Sequence, residues 1–119
     1  MRDLDVLKKF VDEREFRNYV QYKLYKMGYK TIKIDDERMT DEDILNDNDM
    51  KGKISKTCTV QTFLNTKVGK REIDETSLDM YEEKVDFGII ISTKNVSMFT
   101  KRRAIKKNII ILGEEFFED

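Results

Sequence analysis

Two isoleucine runs constrain this chain most. One is "GIII" inside "VDFGIIIST" at 85–93, and the other is "IIIL" inside "IIILG" at 109–113. Consecutive β-branched residues cannot alternate between core and solvent. Each run therefore predicts a buried strand, and the first reads as a central strand covered on both faces. Between them, Ser97 to Asn108 reads as a short helix with Lys and Arg toward its end, where the helix dipole favours cations. A helix between two buried strands is the signature of an α/β sheet with helices packed on its faces.

The rest of the chain fits that frame. "DEREFRNYVQYKLYKMG" at 12–28 predicts an amphipathic helix with Phe16, Val20, Leu24 and Met27 in one apolar stripe. Asp12 followed by Glu15 resembles a capping box, and Gly28 is a natural stop. "YKTIKI" at 29–34 reads as a short strand. The acidic stretch "DDERMTDEDILNDND" at 35–49 reads as a loop with one helical turn around "DEDIL". "KISKTCTVQTF" at 53–63 is extended, and "VGKREIDETSLDMYEEK" at 68–84 is loop then helix, with Ile73, Met80 and Tyr81 toward one face. The predicted order is α-β-(acidic loop)-β-α-β-α-β, closed by one turn in "EEFFED". No internal repeat or linker divides it, and 119 residues suit a single domain over 1–119.

Composition narrows the chemistry. The chain has no histidine and a single cysteine, Cys58. Histidine triads, histidine metal ligands, structural zinc sites and internal disulfides are all excluded. Cys58, in a strand, reads as a small core residue in a reducing compartment. A bound metal would need carboxylates, which points to a hard cation such as Mg²⁺. No apolar run approaches a membrane span, and "RDLD" after Met1 lacks a signal core. An intracellular protein is expected, cytoplasmic or associated with the nucleoid or nucleus, with no membrane partner.

Net charge is −1, but the charges are segregated. Residues 35–49 are acidic and "KRRAIKK" at 101–107 is basic, so a neutral sum can hide a basic face. Lys101, Arg102, Arg103 and Lys106 are candidate phosphate contacts, and Lys70 and Arg71 could extend the same surface. Tyr19, Tyr22 and Tyr25 lie outside the apolar stripe or along its edge. They read as packing or a partner face, because nothing pairs them with a basic groove.

Several stretches together resemble the Mrr-type restriction endonuclease domain. They are Gly28-Tyr29 after a helix, an acidic loop ending in Asp, a strand ending in "VQ", "KVGKREI", "DFGIIIST" and "MFTKRRAIKKNIIILGEEF". The resemblance covers roughly residues 16–117 and is most specific over 57–117. It implies a restriction-endonuclease-like core, a mixed central sheet flanked by helices in the order α-β-β-α-β-α-β. It also implies DNA cleavage with Mg²⁺ by an Asp and a Gln/Glu-x-Lys pair. The cation would polarise the phosphate and activate water, and the lysine would orient that water or steady the developing charge.

By this resemblance Asp49, 12 residues before Gln61, is the metal-binding Asp, with Asp47 as a fallback. Gln61 is the family's Gln, and Phe63 stands where the family has its lysine. The Phe-Glu pair frequent in the first helix reads Phe16-Arg17 here, and "NDN" replaces the glycines before the Asp. Two chemically important positions have thus lost their functional group. Lys67 is the candidate for a relocated catalytic lysine, with Lys51, Lys53 and Lys56 behind it. Three readings follow. The first is a nuclease fold with an eroded site that binds DNA or a protein partner without cutting. The second is an active Mg²⁺-dependent endonuclease using Asp49, Gln61 and Lys67. The third is a structural subunit of a larger complex, a homodimer included.

Overall fold

The computed structural model describes residue 10, residues 12–39 and residues 56–118. Helix α1 spans Glu13–Lys26 and is followed by β1, Tyr29–Ile34, and β2, Glu37–Arg38. Strand β3 spans Lys56–Phe63, α2 Lys70–Glu83, β4 Phe87–Ser92, α3 Met98–Ile105 and β5 Ile109–Leu112. A 3₁₀ turn, Glu114–Phe117, ends the described chain. The expected order is present with one short strand added. The sheet order is β2-β1-β3-β4-β5, with β2 antiparallel to β1 and the other neighbours parallel.

Local signals explain the ends of α1. Asp12 is its N-cap, and its Oδ1 accepts the Glu15 N–H at 2.8 Å. Gly28 ends the helix region at φ 96°, a left-handed conformation that costs glycine little. Phe16, Val20 and Leu24 are buried as the stripe predicts. Met27 is not: it lies beyond the last helical residue, at the C-cap, and is half exposed.

Strand alternation divides the core in two. Cys58, Val60, Ile89 and Ile91 face α1 together with Ile34, and Phe116 and Phe117 close that layer. Ile90 and Ile109 face the other way, against Ile73 and Met80 of α2 and Ala104 of α3. Both crossover helices thus cover one face, while α1 and the C-terminal turn cover the other. The two-sided burial expected of "GIII" is observed, with Ile89, Ile90 and Ile91 all fully buried. Cys58 is buried too, and desolvation pushes its thiol up to about 12. Gly88 lets α2 approach β4 closely, since a Cβ there would sit 2.7 Å from Met80 Sδ. Tyr81 departs from expectation. It is 81% exposed, because the buried positions on α2 are Ile73, Thr76, Asp79 and Met80. One further residue rotates the side chain about 100° off that face.

Candidate functional site

Asp47 and Asp49, with Lys51 and Lys53, lie outside the described residues. Gln61 sits on β3, opposite Ile90 of β4, and faces α2. Its Oε1 accepts a hydrogen bond from Thr76 Oγ1 at 2.9 Å. The same hydroxyl lies 3.0 Å from the Glu72 carbonyl, so one proton serves two acceptors. Two residues along the same face, Phe63 packs against the Val68–Ile73–Ile90 cluster. Lys67 is exposed on the connection into α2, and Lys56 is exposed at the opposite end of β3, its ammonium 4.7 Å from the Phe87 ring centre. Arg17 lies on the other face of the sheet, its guanidinium 3.9 Å from Glu13.

An amine that sequence reasoning passed over lies between the sheet and α2. Lys33 of β1 pairs in register with Thr59, two residues before Gln61. Its Nζ lies 2.7 Å from Asp79 Oδ1 and 4.0 Å from Glu83 Oε2. Arg38 from β2 reaches the same Glu83 at 2.7 Å. The Asp79 hydrogen bond holds the Lys33 ammonium above its ordinary pKa, with burial working against it. Asp79 Oδ2 and the Thr59 hydroxyl are buried with no hydrogen-bond partner among the described residues. Lys33 is therefore committed to the carboxylates of α2.

On the α1 side, a cleft of ≈ 560 Å³ opens past the ends of β1 and β3, lined by Phe16, Arg17, Asp35, Asp36, Thr62 and Leu64 among others. Asp35 shapes one wall. It holds φ 53°, and its N–H donates to the Val60 carbonyl at 2.8 Å. Its carboxylate accepts the Thr62 N–H at 2.8 Å and the Thr62 hydroxyl at 2.6 Å. Desolvation raises the Asp35 pKa, the two Thr62 hydrogen bonds oppose the rise, and the Asp36 charge adds to it.

The sign of that shift gives a prediction. A carboxyl with a raised folded pKa contributes stability below its unfolded value, 3.8, and loses it as pH rises through the folded value. Above that folded value Asp35 is ionised against its surroundings. Asparagine tolerates φ > 0, and its amide can still pair with Thr62 because a hydroxyl both donates and accepts. Asp35→Asn will be at least as stable as the native chain at pH 7, and that difference will shrink as pH falls toward 3.8. Asp35→Ala will lose about 1–2 kcal/mol at pH 7. Urea midpoints at the two pH values decide it, and an advantage of Asn that grows on acidification would refute the assignment.

The basic candidates divide. Lys107 Nζ pairs with Asp74 Oδ1 at 2.7 Å, joining α3 to α2. That hydrogen bond holds the Asp74 carboxyl below the usual range, and the charges of Lys70 and Arg103 add to the effect. Lys70 and Arg103, far apart in sequence, therefore share one surface. Arg71 pairs with Glu75 at 3.3 Å on the same helix. Arg102 and Lys106 are exposed. Lys101 instead lines a depression with Glu114 and Glu115 past the ends of β4 and β5.

The described residues alone do not fit a Mg²⁺ site. No group of three acidic or cysteine side chains among them could hold a metal, and the oxygens of Asp35 and Gln61 already accept hydrogen bonds from Thr62 and Thr76. Among the same residues no helix is long and apolar enough to cross a membrane. No curated protein and no solved structure gives a significant match to the chain. The family model for the Mrr catalytic domain, described as a restriction endonuclease, matches residues 8–118. That match runs from before α1 to the end of the 3₁₀ turn, through every strand of the mixed sheet and both crossover helices, so this chain belongs to the Mrr restriction endonuclease family.

Proposed function

We propose that this domain binds DNA through a nuclease fold whose cleaving centre has lapsed. Phe63 carries the reading. Hydrolysis by a Gln-x-Lys pair needs an ammonium on the same strand face as the glutamine, and here a phenyl ring fills that place and packs into the second core cluster. Gln61 supports it, since its carbonyl oxygen, the atom that would ligate a cation, accepts from Thr76. Lys33, the amine on the neighbouring strand, is held by Asp79. Lys70, Arg71, Arg102, Arg103 and Lys106 are the proposed phosphate contacts, with Lys101 set apart from them.

Two measurements test this. Supercoiled plasmid is incubated with the protein and Mg²⁺ or Mn²⁺, beside Asp49→Ala. No cutting by either is expected. Cutting that Asp49→Ala abolishes would overturn the proposal in favour of an active endonuclease using Asp49, Gln61 and Lys67, with Asp47 the next acid to change. DNA binding is then followed across a salt series. Five phosphate contacts predict a log–log slope of about −4.5. A flat slope would remove the DNA half of the proposal. The exposed Leu78, Tyr81, Met98 and Ile105 would then favour a protein partner or a homodimer, which mass measurement in solution would detect.

A further inference from the structure

Phe99 is 73% exposed, although it sits on the most basic helix of the chain. One turn on, the Arg103 guanidinium lies 5.6 Å from the centre of its ring. One more turn on, Lys107 reaches across to Asp74 of α2. Phe99, Arg103 and Lys107 thus form a stripe at four-residue spacing along one side of α3 and its C-terminal turn. Opposite them α2 presents Lys70, Asp74 and Leu78 at the same spacing, and Lys70 and Arg103 both act on Asp74. The two stripes meet at the Lys107–Asp74 pair, and on the surface they share the cations Lys70, Arg71, Arg103 and Lys107 outnumber the acids Asp74 and Glu75.

A duplex phosphate lattice requires only the cations of such a surface. An exposed ring with a guanidinium beside it is the feature that an unpaired base requires, because a base offers its π-face only when it has left the stack. The geometry points to the α2–α3 surface as a binding track for single-stranded DNA, with a base stacked on Phe99 and the neighbouring phosphates on Lys70 and Arg103. This rests on the DNA-binding reading above and names the form of DNA that the surface takes. Charge complementarity selects the occupant: an acidic strand matches the surplus of cations, and the flat ring matches its bases.

The chain contains no tryptophan, so Phe99→Trp introduces a single fluorescent reporter at the proposed contact. A short oligothymidylate will quench that fluorescence and bind more tightly than a duplex of equal length. Phe99→Ala will weaken single-strand binding about tenfold, within the range for loss of one stacked base, and leave duplex binding nearly unchanged. Phe99→Tyr will restore it. Arg103→Gln will weaken binding and flatten the salt slope by about one contact. The ring is exposed, so the Phe99 variants keep the native melting temperature. Equal binding of duplex and single strand, with Phe99→Ala neutral, would overturn this inference and leave the DNA-binding reading standing. Absence of binding to either form would overturn both.

Discussion

Lys33→Met will cost the fold about 3–5 kcal/mol, and removing Asp79 as well will recover most of that loss. The side chains are 18% and 7% exposed, so neither partner is solvated well enough to stand alone. Asp79 Oδ2 has no hydrogen-bond partner among the described residues, which leaves the Lys33 ammonium, 2.7 Å from Oδ1, as the main compensation for its charge. Methionine fills the space of the lysine stem and strands that charge. Lys33→Met with Asp79→Leu replaces the pair by apolar volume, which is often close to neutral. Glu83 keeps Arg38 at 2.7 Å in either variant, so the defect stays at one carboxylate. Urea denaturation of the two single variants and the double variant closes the cycle. A Lys33→Met protein as stable as the native chain would show that the pair is not what holds β1 to α2.

The pH dependence of this pair follows from its sign. The folded pKa of Lys33 is raised, so its contribution is complete below 10.5 and is lost only as pH rises through the higher folded value. Stability from this source is constant through the neutral range. The pair also bears on function. The ammonium on the strand next to Gln61 serves to hold β1 and β2 against α2, and a lysine with that task is not available to replace the one missing at Phe63.

The parts legible in the sequence were those set by neighbours in the chain. The stripe of α1, its Asp12 cap and its Gly28 stop are local, and so is the two-sided burial of Ile89 to Ile91. Phe63 packs against the second core cluster, as an aromatic on a strand face usually does. What stayed hidden depends on contacts that no period encodes. Lys33 and Asp79 are 46 residues apart, and nothing marks either as the other's partner. Asp35 and Thr62 are 27 apart, though an Asp directly after a strand ending in "IKI" hints at a residue able to turn the chain. Counting charges found the cations of α3 but not their directions. Arg103 and Lys107 turn toward α2, while Lys101 turns toward Glu114 and Glu115. Gln61 was found by its motif, whereas its bond to Thr76 needed the helix in place.

The C-terminal "EEFF" was read only as a turn, yet Phe117→Ala will be among the most damaging single changes, at about 3–5 kcal/mol. Phe117 is 1% exposed. Its ring stacks on Tyr19 at 6.2 Å and meets Phe16 and Phe116 edge-on at 5.9 and 5.3 Å. The Lys23 ammonium caps the turn, donating to the carbonyls of Phe116 and Glu118. The turn thus clamps α1 against the sheet. A cavity there cannot collapse easily, since α1 and β1 are joined by the short Met27–Gly28 connection and move together. For a domain of this size the loss corresponds to a fall in melting temperature of roughly 10–20 °C. Phe117→Leu retains most of the volume and will lose less than half as much. The same variants report on the cleft, because Phe16 and Arg17 line it and depend on the position of α1. An unchanged melting temperature for Phe117→Ala would mean that the terminal turn lies on the core without supporting it, and α1 would then have to be held by Phe16, Val20 and Leu24.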